Sequence, residues 1–120
     1  MPDEPPIYPT TSSDFAEKRK NLAPRTAEAF KAFSQSVFAD GAIPAQTKQL
    51  IAVAVAHVTQ CPYCIAGHTK GALKHGATPE QIMEAIWVAA EMRAGAAQAH
   101  SVLAMEAISH TRKERSRSEK

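Results

Sequence analysis

The segment from Pro44 to Thr59 is apolar on nearly every side, and it constrains the fold more than any other part of the chain. Its branched residues are interleaved with alanine, so they do not alternate with polar residues as in a half-buried strand. A helix that is apolar all round needs neighbours on every side. We therefore expect this helix at the centre of a helical bundle or between subunits.

Two further helices are predicted ahead of this segment. Residues 14–21 fit a short helix, and the segment from Pro24 to Ala39 has an apolar stripe at three- and four-residue spacing. Phe30 and Phe33 belong to that stripe, and periodic aromatic residues are usually core residues. Gly41 follows the stripe, and we expect it to end the helix in the left-handed conformation that glycine adopts easily.

A strong helix start signal occurs at Thr78-Pro79-Glu80-Gln81, where threonine is the predicted N-cap and glutamine completes a capping box. The helix that follows is predicted over residues 79–110, with a break near Gly95 as an alternative. Small residues at 94–99 would let another helix approach closely. The contact could lie within the chain or between subunits.

The chain has neither an Asn-Gly hairpin signal nor sustained strand-type alternation. We predict an all-α fold, a compact helical bundle of four to six helices that forms oligomers. Residues 1–13 contain four of the eight prolines and are predicted to be an extended arm. Residues 14–110 would form the helical domain, and residues 111–120 a charged tail that is disordered in part.

The motif Cys61-Pro62-Tyr63-Cys64 holds both cysteines of the chain, and His68 follows four residues after the second. Pro62 suits the first position of a helix, which makes Cys61 the N-cap and Cys64 the third helical residue. The unpaired N–H groups and positive dipole of a helix N-terminus stabilise a thiolate. His68 lies one turn beyond Cys64 on the same face, where it could exchange a proton.

Three interpretations of this motif compete. A redox-active dithiol accounts for the spacing, for Pro62 and for the histidine. A metal site would use Cys61, Cys64 and His68 with His57 or His75, but structural zinc usually draws its four ligands from two separated pairs. Two buried thiols that only fill space would leave Pro62 and the histidine unexplained. The redox dithiol is the favoured interpretation.

The net charge of +2 comes from the C-terminus, since residues 112–120 carry five basic and two acidic side chains. The rest of the chain is close to neutral, which gives little support for a nucleic-acid partner. No run of 18 apolar residues suggests a membrane span, and no secretory signal is visible at the N-terminus. A lone C-x-x-C in a chain that is not secreted is more often catalytic or metal-binding than structural, and a cytoplasmic protein is expected.

Four stretches together resemble the alkylhydroperoxidase (AhpD)-like branch of the carboxymuconolactone decarboxylase superfamily. They are residues 47–57, the C-x-x-C with His68, residues 76–86 and residues 93–97. The resemblance implies an all-helical subunit assembled as a trimer or hexamer. It also implies that the dithiol reduces hydroperoxides or a partner peroxiredoxin. Electrons would come from an external dithiol of the lipoamide type, free or on a lipoyl protein, with no bound cofactor.

The chain departs from AhpD at two positions. A glutamate of the proton relay upstream of the cysteines is replaced by Gln49, and a histidine inside the C-x-x-C is replaced by Tyr63. Glutamine cannot exchange a proton near neutral pH, so another carboxylate would have to complete the relay. Glu84 and Glu91, on one face of the last helix, are the candidates.

The predicted catalytic residues are therefore Cys61, Cys64 and His68, with Glu84 and Gln49 as further candidates and no metal ligand. In the working hypothesis His68 takes the proton of Cys64, which attacks the peroxide, although attack by Cys61 remains open. Two alternatives are kept. One is a decarboxylase-type enzyme, whose activity would survive loss of the cysteines, and the other is a non-enzymatic helical oligomer that binds a metal or another ligand.

Overall fold

The fold consists of five α-helices in a computed structural model that describes residues 7–9 and 13–119. They are α1 (Ser13–Leu22), α2 (Pro24–Phe38), α3 (Ala45–Thr59), α4 (Pro62–Lys74) and α5 (Pro79–Ser118). No strand occurs within these ranges. The all-α class and the predicted number of helices are confirmed.

Local signals place the starts of the last two helices where the sequence predicts them. Pro62 and Pro79 both lie in the first turn, where the missing N–H of proline leaves no bond unmade. The Thr78 hydroxyl accepts the N–H of Gln81 at 3.1 Å, and the Gln81 side-chain oxygen accepts the N–H of Thr78 at 2.9 Å. The predicted capping box is therefore confirmed.

The turn between α2 and α3 is closed by side chains, and the prediction for Gly41 is wrong. The Asp40 carboxylate accepts the N–H of Ala45 at 2.7 Å, and Lys48 Nζ donates to the Ala39 carbonyl at 2.6 Å. These two bonds engage a backbone N–H at the start of α3 and a backbone carbonyl just after α2, so no residue in the left-handed conformation is needed there. Among described residues the left-handed region is occupied only by Gln60 and Gly76, after α3 and α4.

The core lies where α3, α4 and α5 meet. Val53 of α3 and Ala72 of α4 are fully buried, and Ala77 and Ile82 pack beside them. Alanine on α4 lets the helices approach closely enough for the valine side chain to fill the space between them. This contact fixes the face that α4 turns towards α3.

Two sequence predictions about burial hold only in part. α3 is covered by α4 and α5, but its third side is open, and Val55 there is 51% exposed. α2 contacts α1 and α3 and has no buried residue, with Phe30 67% exposed. The prediction that these phenylalanines are core residues is therefore wrong for a single chain, because no other helix of the chain covers their stripe.

The last helix is longer than predicted. α5 passes Gly95 without a break and continues beyond His110 to Ser118, so the segment from Thr111 is helical and not disordered. The arginine, lysine and glutamate residues there have high helix propensity, and Gly95 is flanked by alanines that offset its cost. At 1.5 Å per residue this helix is about 60 Å long.

A single chain is elongated, because this helix projects beyond the other four. The radius of gyration is 22.2 Å and the longest extent is 71 Å, whereas a compact domain of this length would have a radius of about 14 Å. Every described residue after Gly95 is exposed. None of the described helices has the length and hydropathy needed to cross a membrane.

Candidate active site

Cys61 and Cys64 occupy the positions at the start of α4 that the sequence predicts. Cys61 is the N-cap, with φ −103° and ψ 103°, and its sulfur accepts the backbone N–H of Cys64 at 3.2 Å. Both cysteines are free thiols and partly exposed. The first cysteine thus replaces the serine or aspartate oxygen that commonly caps a helix.

The two thiols have opposite electrostatic environments. The Cys64 thiol donates a hydrogen bond to Cys61 and lowers the pKa of Cys61, and the backbone N–H groups of Cys64 and Tyr63 act in the same direction. The pKa of Cys64 is raised, first because its proton is engaged by Cys61, and also by burial and by the charge on Cys61. Of the two sulfurs, Cys61 is therefore the one whose surroundings favour the thiolate.

His68 lies one turn after Cys64 and is held from two sides by other helices. Its ring Nδ1 is 2.8 Å from Gln49 Oε1 on α3, and the Phe38 ring of α2 stacks on it at 4.9 Å and 25°. His68 and Cys64 line the same cavity, as the sequence predicts for residues on one helical face. No direct hydrogen bond between them occurs in the described structure.

Of the candidate relay residues, the fold brings Gln49 to His68 and leaves Glu84 away from it. Glu84 is exposed on α5, and no hydrogen bond or ion pair in the described part of the chain joins it to the cysteines or to His68. It lies two residues after the buried Ile82, about 200° around the helix from the side that packs on α3 and α4. Glu91 is also exposed.

An apolar cavity of about 400 Å³ opens beside Cys64 and His68, between α2 and α3. Lys48 is the single charged residue among the described residues that line it. Such a cavity can hold the carbon skeleton of a small organic molecule. Its lining consists of Val37, Phe38, Lys48, Ile51, Ala52, Val55, Ala56, Thr59, Cys64 and His68.

Tyr63, inside the C-x-x-C, is held by the N-terminal arm. Its hydroxyl donates to the Pro9 carbonyl at 2.7 Å, and its ring meets Tyr8 edge-on at 6.0 Å. Most of the arm predicted over residues 1–13 lies outside the described residues, but residues 7–9 lie against the motif helix.

The remaining histidines near the motif bond to their own helices. His57 Nδ1 lies 2.7 Å from the Val53 carbonyl, and His75 Nδ1 lies 2.8 Å from the Gly71 carbonyl, each one turn back. No three His, Cys, Asp or Glu side chains converge as a set of metal ligands within the described ranges. The metal alternative therefore has no ligand cluster to build on in this part of the chain.

Sequence reasoning missed two residues that shape the site, Phe38 and Gly71. By its spacing Phe38 falls on the apolar stripe of α2, but it is the last residue of that helix and stacks on the imidazole. Gly71 lies against the Gln49 amide. An unexplained glycine inside a helical segment was the available signal.

Residues 24–107 match the carboxymuconolactone decarboxylase family. A Paracoccus denitrificans protein, known as uncharacterised protein 4 in the cox locus, is 70% identical over 81 residues. These are 68% of this chain and 73% of that protein. The function of that relative is not given by its name.

Two solved structures show the same helical fold. A carboxymuconolactone decarboxylase family protein from Legionella pneumophila is 34% identical with a TM-score of 0.63, covering 67% of this chain and 71% of that one. A family protein from Thermotoga maritima, for which a part in the antioxidative response has been suggested, has a TM-score of 0.51. It is 23% identical and covers 68% of this chain and 93% of that one, so the likeness concerns the fold alone.

Proposed function

This chain belongs to the carboxymuconolactone decarboxylase family, and from that premise we propose that it is an AhpD-like thiol–disulfide enzyme. It reduces hydroperoxides, or the disulfide of a partner peroxiredoxin, with Cys61 and Cys64 as the redox pair. The observation that carries the proposal is the N-cap position of Cys61, whose sulfur accepts the backbone N–H of Cys64 at 3.2 Å.

Cys61 is the attacking residue in this mechanism, in place of the Cys64 attack first hypothesised from the sequence. The Cys61 thiolate attacks the terminal peroxide oxygen and the O–O bond breaks. Sulfur is oxidised to a sulfenic acid, and the alkoxide takes a proton from water and leaves as an alcohol. The change of residue follows from the lowered pKa of Cys61 and the raised pKa of Cys64.

His68 acts in the second step. Its unprotonated ring nitrogen takes the proton of Cys64, and the Cys64 thiolate attacks the Cys61 sulfur. A disulfide forms, and the departing hydroxide takes the proton from His68 and leaves as water. An external dithiol of the lipoamide type then returns the pair to the thiol state by exchange.

The cavity beside the dithiol supports an organic hydroperoxide as the substrate. Its lining is mostly apolar, so it favours a carbon skeleton over a small polar oxidant such as hydrogen peroxide. The suggested part of the Thermotoga maritima protein in the antioxidative response is in line with this class of activity. Assembly into a trimer or hexamer belongs to the same proposal.

The first test is a free-thiol count before and after one equivalent of an organic hydroperoxide. We expect two thiols per chain to fall to none, and dihydrolipoamide to restore both. In C64S, dimedone should trap a sulfenic acid on Cys61, while C61S should react far more slowly. Two thiols that persist under peroxide would contradict the reduction of hydroperoxides, and thiols that also fail to reduce a peroxiredoxin disulfide would refute the whole proposal.

A decarboxylase-type reaction is the alternative that the family name suggests. It makes no use of the cysteine pair, so activity on a small lactone acid would persist in a C61S/C64S double variant. The same variant would lose all peroxide reduction under our proposal. Comparing both activities in one preparation separates these two functions. A bound metal that a chelator removes from the purified protein would instead favour the non-enzymatic binding alternative.

A further inference from the structure

Gly71 of α4 lies directly against the side chain of Gln49 from α3. A Cβ on this glycine would be 2.6 Å from Gln49 Oε1 and 2.9 Å from its Cδ. Real Cβ atoms do not approach other atoms so closely, so an alanine here would displace the amide. The atoms that must move belong to the end of a flexible side chain, so the fold itself need not change.

The amide that Gly71 accommodates is the one bonded to His68. At 2.8 Å, Gln49 Oε1 can only accept, so the ring Nδ1 donates and carries the hydrogen. The other ring nitrogen, Nε2, is then unprotonated and is the basic site of the neutral imidazole. Phe38 stacks on the ring and keeps it from tilting.

We propose that Gln49 is a positioning residue that holds His68 as the Nδ1–H tautomer. This inference rests on the function proposed above. Gly71 supplies the space that allows the amide to do so. Neither residue exchanges a proton. Their effect is to leave the Nε2 lone pair available for the proton of Cys64.

Gln49 is the acceptor that the surroundings of His68 offer to its ring N–H. Lys48 and Cys64 border the same cavity as the imidazole, and Lys31 borders a second cavity with the imidazole and Gln49. Neither cavity has a carboxylate among the described residues that line it, and no titratable group of α5 borders them. No carboxylate among these residues therefore competes with the Gln49 oxygen as the acceptor of the ring N–H.

The test is a double-mutant cycle between positions 49 and 71, with the tautomer and the rate measured together. Long-range ¹⁵N–¹H NMR of the imidazole, assigned with H68Q, should show the Nδ1–H form in the wild-type protein. G71A and Q49A should each shift it towards the Nε2–H form and slow disulfide formation about tenfold. In the Q49A background, adding G71A should change neither readout, because the clash has been removed.

G67A is the matched control, since a Cβ at this glycine of the same helix meets no atom within 4 Å. It should keep the tautomer and the rate of the wild-type protein. Q49E keeps an acceptor and adds a negative charge, so it should preserve the Nδ1–H form.

Two outcomes would overturn the inference. One is an Nε2–H ring in the wild-type protein, and the other is a G71A effect of equal size in the wild-type and Q49A backgrounds. If the thiols do not react with peroxide but the His68 tautomer responds to G71A and Q49A as described, only the proposed function is refuted. The NMR readout therefore separates the two failures.

Discussion

Cys61 and Cys64 have the same side chain, three residues apart, yet their pKa values move in opposite directions. The difference comes from position in the helix, because the N-cap sulfur receives hydrogen bonds and the sulfur one turn later gives one. A thiolate formed in this way is the stronger nucleophile of the pair at neutral pH. The local backbone thus selects which sulfur reacts first.

Cys61 should therefore be alkylated before Cys64. We expect iodoacetamide at pH 7 to modify Cys61 first, and its reaction to decline only as the pH falls below the lowered pKa of its thiol. In C64A the pKa of Cys61 should rise relative to the wild-type protein, because alanine removes the side-chain donor that favours the Cys61 thiolate. Peptide mass spectrometry after timed quenching across a pH series measures both, and preferential labelling of Cys64 would contradict the assignment.

At the scale of helices, α3 has two distinct environments. One side is packed by α4 and α5 around Val53, and the open side borders the cavity beside the cysteines. The packed side fixes how α3 crosses α4, and this crossing brings Gln49 to His68. The stability of the core and the geometry of the site therefore depend on the same helix pair.

Val53 and Val55 allow this division of α3 to be measured with one chemical change. V53A should lower the free energy of unfolding by about 2 kcal/mol, because it removes fully buried methyl groups and leaves a void. V55A, at a position that is 51% exposed, should change it by no more than about 0.5 kcal/mol. Denaturant unfolding at fixed protein concentration compares the two, and equal losses would contradict the assignment of the core.

At the scale of the whole molecule, a single chain leaves much apolar surface uncovered. It exposes 10132 Å², whereas a folded monomer of this mass would expose about 6,300 Å². Trp87, Leu103 and Ile108 on α5 are more than half exposed, as are Phe30 and Phe33 on α2. A helix that is apolar on several sides without neighbours in its own chain is typical of a subunit that packs against copies of itself.

We therefore predict that the wild-type chain self-associates through the second half of α5. L103E places a charge at a residue that is 62% exposed in the single chain, and it should reduce the mass in solution towards that of the monomer. S101E adds the same charge on another side of the helix, and a smaller effect there would locate the interface. Light scattering coupled to size exclusion measures the mass, and a monomeric wild-type protein, or an L103E oligomer of unchanged mass, would refute the prediction.

The sequence by itself determined where α4 and α5 begin and the motif at the start of α4. Pro62 and Pro79 at helix starts, the Thr78–Gln81 capping box and the N-cap position of Cys61 all act within a few residues, so spacing along the chain is sufficient to predict them. For the same reason, the sequence was sufficient to predict that His68 lies on the same helical face as Cys64. The family resemblance then supplied the class of chemistry.

Only the tertiary structure decided which groups meet the motif from elsewhere. Gln49 reaches His68 across 19 positions of sequence because α3 and α4 cross at Val53 and Ala72, with Gly71 leaving space for the amide. By side-chain chemistry Glu84 was an equally reasonable partner for His68, but the burial of Ile82 places Glu84 on the exposed side of α5. Contacts between helices depend on crossing geometry and on which faces are buried, and the spacing of residues within one helix does not specify either.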